Sequence, residues 1–527
     1  MTVSGYETFG DNQFATPITL FPDLRNQEKY QFRYDLSHVA GSHALKFGVN
    51  FIHVPVLSGA FAATAEQFIK YPSNPDCYVN PPGLDCQVAN SLPFYYTPPT
   101  SMCNPPPDPT SGITCTYTSG GNGNFSQSVQ RLALYAQDSW RVSSHFTVNY
   151  GLRYQTTFGL FTASGQSQAA NPSFPLLASL GYPEAVPHDY RKQVAPRLGI
   201  AYSPGGSEKT VIRAGFGMFY NDLAQNGWAT AFQAVNPNSV APPALIDPNY
   251  KTPYAIHVTG GVQHAFDSHW IVSADYTHEQ GNHGYRAYPY SSATVFRSDN
   301  RSSYNSLMLH LQGNVSRRFS LVANYTLSKA QTWGCVLGEL FDYVNGVCNP
   351  LNAFAPGDYG PSGEDVRHRF VLAGTVHIPG GFELSSITQV ESARPITITT
   401  EDNSERISVN GVPTSLDEFR GTPYIQVDLR VTRPFKVGER WQINPFAEFF
   451  NIFNRNNPGA NYVANISNLP VPEAQIKSGN VTSICTAAGC QAVTSLKQLE
   501  IPAGGLGDFF GPGTTVGIPF AASSACG

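Results

Sequence analysis

The 527-residue sequence is poor in charge and has no long apolar run. Only 13% of its residues are charged, about half the share that is usual in globular proteins. No uninterrupted apolar stretch approaches the ~20 residues that a membrane-spanning helix needs, which excludes a helical membrane protein. Lysine and arginine form no dense run and the net charge is -5. This argues against a nucleic-acid partner, because phosphates require a basic footprint.

The first residues show no targeting signal. The stretch MTVSGYETFGDNQFATP has neither a basic n-region nor an apolar h-region, so the sequence predicts no signal peptide. Two interpretations stay open, a cytoplasmic protein or a fragment of a longer, exported one.

Motifs of enzyme chemistry are also missing. GGSEKT (205–210) lacks the order of a phosphate-binding loop and joins two strands, so it is typical of a turn. In THEQGNHGYR (277–286), His278 and His283 are five residues apart, whereas a zinc-protease motif needs four on one helical face. A polar exit from a strand is the favoured interpretation. We therefore expect no enzyme, no metal site and no cofactor.

Aromatic residues, by contrast, are abundant at 12%, with 27 tyrosines. In HFTVNYGLRYQ (145–155), the even-numbered residues are apolar and the odd-numbered ones are polar or glycine. Strand side chains alternate with period two, so this pattern predicts a β-strand with one apolar face. The alternation alone leaves open whether a packed core or lipid covers that face.

The same alternation recurs along the chain and predicts fourteen strands in seven hairpins. They lie at 30–36 with 45–51, 126–141 with 145–157, 194–203 with 209–221, 252–265 with 269–285, 303–316 with 318–331, 366–378 with 382–399, and 423–434 with 440–454.

Short and long connections alternate strictly. The turns inside hairpins are short, whereas long loops separate the hairpins at 55–125, 158–193, 222–251, 286–302, 332–365, 400–422 and 455–515. In an antiparallel meander this places every short turn at one end of the sheet and every long loop at the other. That asymmetry is typical of an outer-membrane barrel with periplasmic turns and extracellular loops, and a soluble β-sandwich rarely sustains it.

Aromatic residues flank the short turns, as in the girdle of a membrane interface. They are Trp140, Phe146, Phe266, Trp270, Phe319, Phe382, Phe435 and Trp441. The alternative is that aromatic rings simply suit strand ends.

Several ordered segments resemble the barrel of TonB-dependent receptors of the Oar-like type from Gram-negative bacteria. They are YAQDSWRVSSHFTVNYGLRYQ (135–155), APRLGIAYSPGGSEKTVIRAGFGMFYN (195–221), NSLMLHLQGNVSRRFSLVANYTLSKA (305–330), DVRHRFVLAGTVHIPGG (365–381) and FAEFFNIFNRNNPG (446–459). The resemblance implies an all-β, antiparallel transmembrane outer-membrane β-barrel, of whose twenty-two strands the fourteen here resemble numbers 8 to 21. It places this chain in the outer membrane of a Gram-negative bacterium, surrounded by outer-membrane lipid.

The resemblance also sets expectations for the domain boundaries. Residues 1–25 are expected to be irregular, a loop remnant; 26–515 a partial barrel; and 516–527 a truncated closing strand. The family's signal peptide, regulatory-like domain, TonB box and plug are not found, which suggests a gene-model fragment or a degenerate gene. A sheet with two unpaired edges is costly in hydrocarbon, so we expect the isolated chain to close into a smaller barrel or to fail to insert.

Cysteines fall in the predicted loops in even numbers, which predicts local disulfides in an oxidising setting. They are Cys77, Cys86, Cys103 and Cys115 in the first long loop, Cys335 and Cys348 in a later one, and Cys485 and Cys490 in the last. Free thiols or a metal site are the competing interpretations. Four cysteines allow three connectivities, so pairing in the first loop is open.

Aromatic residues of the long loops are candidate contacts for an extracellular ligand, because a ring offers a large apolar surface at low entropic cost. They are Tyr95, Tyr96, Trp228, Trp333 and Tyr343. The alternative is packing of the loops on themselves. Polar residues of the opposite strand face are expected to line the lumen, namely Arg153, Arg213, Asp275, Gln389 and Glu448.

The resemblance implies an outer-membrane receptor that takes up a bound ligand, a siderophore, an oligosaccharide or a peptide. In the family TonB pulls on the plug, so this chain alone is not expected to transport. The alternative function is adhesion, in which the long loops bind partners and the barrel is an anchor. A soluble β-rich protein is a third, weaker hypothesis.

Overall fold

In the computed structural model the described residues are 23–60, 66–69, 113–117, 124–162, 165–206, 209–221, 244–316, 318–335, 346–400, 405–421, 423–438, 440–455, 457, 473–486 and 489–499. Fourteen strands form one antiparallel sheet in chain order. They are β1 (Asp23–Ala40), β2 (His43–Ala60), β3 (Asn124–Ser143), β4 (Phe146–Phe158), β5 (Gln193–Tyr202), β6 (Thr210–Tyr220), β7 (Tyr254–Ala265), β8 (Trp270–Pro289), β9 (Thr294–Ser316), β10 (Phe319–Trp333), β11 (His368–Ile378), β12 (Phe382–Glu391), β13 (Tyr424–Thr432) and β14 (Phe446–Phe449). The predicted all-β meander of fourteen strands is confirmed.

Smaller elements lie outside this meander. Short strands pair as Glu66–Ile69 with Ile113–Tyr117, Ala244–Ile246 with β9, Tyr359–Pro361 with β10, Pro395–Ile396 with Phe419–Arg420, Ser408–Val409 with Val412–Pro413 and Asn480–Val481, Phe435–Val437 with Trp441–Ile443, and Ser483–Thr486 with Gly489–Ala492. The helices are Leu176–Ser179 and Glu473–Ser478, with single 3-10 turns at Gln168–Ala170, Pro204–Gly206, Pro356–Asp358 and Leu496–Gln498. None of the helices in the described ranges has the length and apolarity to span a bilayer.

The long connection predicted at 286–302 is largely strand. β8 continues to Pro289 and β9 begins at Thr294, so these residues form a two-stranded ribbon closed by a turn in which Tyr290 N donates to Ala293 O. The apolar alternation fades here because the ribbon extends past the membrane, where neither face needs to be apolar. Alternation therefore predicts an end of β8 that is too early and a start of β9 that is too late.

Two other strand boundaries were wrong. The strand predicted at 382–399 leaves the sheet after Glu391, and Pro395, which has no N–H to donate, lies in a separate two-residue strand. The strand predicted at 440–454 contributes only Phe446–Phe449 to the sheet, since Asn451 and Asn454 adopt left-handed backbone conformations that turn the chain. The predicted irregular segment 1–25 already includes the start of β1; residues 1–22 and the predicted closing strand 516–527 lie outside the described residues.

The two faces of the sheet differ as the alternation predicts. Register pairs Tyr150 with Leu198, Leu198 with Phe216, and Phe216 with Val258, and these cross-strand partners share one face, here called the outer face. Their side chains are about two-fifths exposed, for example 46% for Tyr150 and 42% for Val258. A continuous apolar surface of this kind exceeds what soluble monomers leave open to water. The outer face is thus covered by lipid, which resolves the question that alternation left open.

Aromatic rings crowd the short-turn end of this outer face. Trp140, Phe266, Phe382, Phe435 and Trp441 are all exposed. The positions agree with a membrane-interface girdle, where an aromatic ring has one apolar and one wetted side.

One carboxylate lies on the outer face near the same end. Asp138 is 4% exposed because Leu45 and Tyr150 flank it in the register and His43 covers it. Its Oδ2 accepts from the Tyr150 hydroxyl at 3.0 Å and lies 2.6 Å from His43 Nδ1, whose ring stacks on Trp140. A carboxylate is tolerated in an apolar belt only when it is paired in this way.

Candidate functional site

The opposite face of the sheet, here called the inner face, carries the polar residues. Register links Arg213 to Gly261 and Gly261 to Asp275, and it pairs Glu448 with Arg430. By the same alternation Arg153 and Gln389 belong to this face, next to Tyr135 and Gln426. The five residues predicted to line the lumen therefore share one face.

A hollow of about 710 Å³ is recessed into the inner face across β1 to β7. Its inner-face lining is made of Arg33, Lys46, Tyr135, Gln137, Asn149, Gly151, Arg153, Arg197, Gly199, Gly215, Gly217, Phe219, His257 and Thr259. Its rim is rich in cations and its floor in glycine. The hollow is large enough to accept a small solute.

Glycines make the hollow by letting large side chains lie flat on the sheet. A Cβ at Gly48 would stand 2.2 Å from the Tyr135 ring, and one at Gly217 would stand 2.8 Å from the Phe219 ring. Any larger residue at these positions would push the rings up into the lumen. The stretches GLRYQ, RLGIAY and RAGFGMF carry this glycine pattern in the sequence, but only the register shows that their glycines are neighbours.

The arginines and the histidine on the inner face of β11 to β14 have acidic partners. Arg369 lies 2.9 Å from Glu391, His377 lies 3.1 Å from Glu383, and Arg430 lies 3.3 Å from Glu448. The pairs His377–Glu383 and Arg430–Glu448 are partly exposed, so each is worth at most about 1 kcal/mol, whereas Glu391 is buried beside Arg369. Each arginine of this part of the wall thus has a glutamate partner.

An ordered layer covers the end of the sheet where the long connections lie. A transmembrane β-strand takes about 9–11 residues, so Tyr288, eighteen residues beyond Trp270, lies well past the membrane. It belongs to an apolar cluster with Leu177, Leu245, Val295 and Val347. Three connections and the β8–β9 ribbon therefore pack into one layer.

Tyrosine and arginine side chains anchor this cluster. The Arg297 guanidinium lies 4.7 Å above the Tyr288 ring, and its Nε lies 3.3 Å from both Asp247 and Asp299. Burial, reinforced by the hydrogen bond to Asp299, raises the pKa of Tyr288 far above its ordinary value. The phenol thus stays protonated and donates to Asp299 Oδ2 at 2.7 Å.

A second cluster joins the connections after β10 and β12. Arg406 Nη2 lies 2.6 Å from Asp358 Oδ1, and both side chains are buried. Its Nε donates to Thr414 O at 2.8 Å and its Nη1 donates to Cys335 O. One guanidinium thereby ties three separate stretches of chain together.

Among the described residues, two disulfides lie in the long connections. Cys335 is bonded to Cys348, with Cα atoms 4.9 Å apart, and Cys485 is bonded to Cys490 across a short hairpin. Cys115 lies in the strand Ile113–Tyr117, and Cys77, Cys86 and Cys103 lie outside the described residues. The connectivity of the first loop stays open.

Mass mapping of the non-reduced protein should recover the cross-linked peptides Cys335 with Cys348 and Cys485 with Cys490. After reduction, each cross-linked pair should separate into its two individual peptides. Recovery of any of these four cysteines as a free, alkylated thiol from the folded protein would contradict the assignment.

The predicted aromatic ligand contacts are only partly described. Trp333 is half-buried, with its ring 5.1 Å from Phe354 and 5.0 Å from Tyr359, so it packs inside the loop layer. Tyr95, Tyr96, Trp228 and Tyr343 lie outside the described residues. For all five, contact with a ligand stays a prediction.

The histidines of THEQGNHGYR do not converge. His278 Nδ1 lies 2.8 Å from Asn305 on the outer face, whereas Glu279 lies 3.1 Å from His257 on the inner face. His283 sits on a bulge with a left-handed backbone. Within the described ranges no three His, Cys, Asp or Glu side chains are grouped to hold a metal ion.

Sequence reasoning missed the hollow and the arginines that anchor the loop layer. Arg33, Lys46 and Arg197 come together only through the pairing of strands that are distant in sequence. Arg406 and Arg297 lie in segments without any periodic pattern, where a sequence gives no signal for their contacts.

Comparison with known proteins places this geometry among outer-membrane barrels. The model of the outer membrane beta barrel domain matches residues 1–244 and 225–418. Solved structures with a similar fold include the FrpB iron transporter from Neisseria meningitidis (10% identity, 81% of this chain and 50% of that chain, TM-score 0.48). They also include the outer membrane transporter YddB from Escherichia coli (13%, 84% and 61%, TM-score 0.45) and the ferric-catecholate import receptor Fiu from E. coli K12 (14%, 83% and 51%, TM-score 0.45).

The chain spans 50 to 61% of the length of these three transporters. No curated protein sequence matches it significantly. The family model covers most of the chain, and the sheet has the strand order, the apolar outer face and the end-to-end asymmetry of a barrel wall. The chain therefore belongs to the outer membrane β-barrel domain family of the Gram-negative outer membrane.

Proposed function

We propose that this chain forms the wall and the extracellular mouth of a receptor that takes up a ligand across the outer membrane with energy from TonB. The observation that supports it is the inner-face hollow, which lies in the wall below an ordered loop layer. A wall that only anchored loops would have no use for a recessed, glycine-floored surface on its inner face. The ligand class, whether siderophore, oligosaccharide or peptide, is part of the proposal.

Transport by the native protein tests this proposal. The reading frame that contains this chain is deleted in its host, and uptake of radiolabelled ferric siderophores, oligosaccharides and peptides is compared with that of the parent strain. We expect uptake of one class to fall to the level of a TonB-deficient strain. Complementation with the intact reading frame should restore it, and a protonophore should abolish it again.

Adhesion is the second candidate, and a specific observation favours it. The loop layer leaves Leu351 91% exposed and Val412 68% exposed, and apolar side chains in such positions suit contact with another surface. If deletion left all uptake unchanged but reduced binding of cells to a surface, the transport proposal would be wrong and adhesion would replace it.

A further inference from the structure

The positive charge around the inner-face hollow is only partly compensated. Arg33 pairs with Asp35, and His257 pairs with Glu279 at one edge. Lys46, Arg153 and Arg197 form no ion pair within the described ranges, and the carboxylate beside them, Asp35, is engaged by Arg33 at 2.6 Å and by the Tyr135 hydroxyl at 2.7 Å. Arg153 donates to Gln155 at 3.0 Å and Arg197 lies over a phenyl ring, so neither gains a negative partner.

Two of these cations are close neighbours. Arg153 is opposite Ala195 and Arg197 is opposite Gly151 on the adjacent strand, so the two arginines are diagonal partners. Such positions are separated by about 7–8 Å. Like charges at that distance repel, and on β11 to β14 the same wall avoids this by placing a glutamate beside each of Arg369, His377 and Arg430. Arg153 and Arg197 in the hollow have no such glutamate partner within the described residues.

Aromatic rings accompany the cations. The Arg197 guanidinium lies 4.5 Å above the Phe219 ring, and that ring lies 4.7 Å from His257. Tyr135 lies flat over Gly48 on the other side of the hollow. A ligand that fits must therefore present several negative groups together with a flat or apolar body.

We propose that this hollow binds a multiply charged organic anion through its carboxylate or phosphate groups. Guanidinium forks match the geometry of both groups, and Lys46 adds a mobile point charge. About 710 Å³ is within the usual range for a small-molecule pocket. The inference deepens the proposed function, because it names the ligand class of the inner face, and it rests on that face being the lumen.

Binding to the full chain, folded in detergent micelles, tests the site without requiring transport. The probe is trimesate, a planar aromatic tricarboxylate; trimesamide is its uncharged analogue, and inorganic phosphate reports on anion binding without a ring. Titration calorimetry should show saturable binding of trimesate that weakens as salt rises, weaker binding of phosphate, and none of trimesamide.

Variants locate the binding. Arg153→Gln with Arg197→Gln should weaken trimesate binding by roughly a hundredfold, since each of the two lost charge-assisted contacts is worth about a factor of ten. Arg213→Gln is the matched control: it is on the same face and its guanidinium contacts Gln263, but it does not line the hollow. Its affinity should equal that of the native chain, and heat-modifiable mobility shows that each variant is folded.

Equal affinity of the double variant and the native chain would overturn the site, as would the absence of saturable trimesate binding by the native chain. Failure here is distinct from failure of the proposed function. Anion binding without uptake in the host would leave the site standing and refute transport, whereas uptake of a neutral ligand would leave transport standing and refute the anion site.

Discussion

Leu309→Arg is expected to prevent stable insertion of the chain into the outer membrane, whereas Met308→Arg, one residue earlier, is expected to be tolerated. Leu309 is on the outer face between Ala274 and Tyr325, and it is 42% exposed. It lies four residues from Gly313, the partner of Trp270 in the girdle. At about 3.3 Å per residue this is close to the middle of the apolar band, where an arginine costs about 2–4 kcal/mol.

Met308 is the matched control because it has the same depth and nearly the same exposure, 41%, but faces inward between Asp275 and Thr326. An arginine there finds a carboxylate in the next strand. Urea extraction of isolated membranes and heat-modifiable mobility on gels measure the outcome. If both variants inserted equally poorly, or if Met308→Arg inserted less well than Leu309→Arg, the assignment of the two faces would be wrong.

Arg406→Met is expected to unfold the second cluster of the loop layer and to leave the sheet intact. The substitution keeps an unbranched apolar chain but removes the guanidinium that pairs with Asp358, which is only 2% exposed. Breaking a buried ion pair from one side costs about 3–5 kcal/mol, since the remaining charge stays buried without a partner. Cys335 O and Thr414 O lose their donor at the same time.

The double variant Arg406→Met with Asp358→Leu is the control, because removal of both charges avoids the unpaired carboxylate and should restore much of the lost stability. Limited proteolysis and hydrogen exchange at 346–365 and 405–421 report on the layer, and heat-modifiable mobility reports on the sheet. If the single and double variants are equally resistant to protease, the ion pair does not hold the layer together.

The strands were predictable because each carries an alternation that a lipid face on one side and a polar face on the other impose residue by residue. Tyr150 and Leu152 fall outside and Arg153 falls inside, as their positions in HFTVNYGLRYQ indicate. Prediction weakened where that constraint ends. The ribbon of β8 and β9 beyond the membrane has no apolar belt. Near Pro395 and Asn451 the strands end because of backbone conformation, which the alternation of apolar and polar residues does not reflect.

The site was less predictable than the fold. Parity placed Arg153, Arg213 and Asp275 on the inner face, but it did not show which of them are neighbours. The hollow depends on the register of seven strands, which brings Lys46, Arg153 and Arg197 around shared glycines. The loop layer depends on contacts between segments that are distant in sequence, such as Arg406 with Asp358, and no local pattern encodes them.

The most direct test of the account is the environment of successive residues along β9 in lipid. Single cysteines at 307 to 312, in a background where the native cysteines other than Cys335, Cys348, Cys485 and Cys490 are replaced by alanine, carry spin labels in proteoliposomes. Collision with oxygen should dominate at Leu307, Leu309 and Leu311, and collision with a water-soluble nickel chelate should dominate at Met308, His310 and Gln312. Low access to both reagents at Leu307, Leu309 and Leu311 would show a packed protein core and would contradict a lipid-facing sheet.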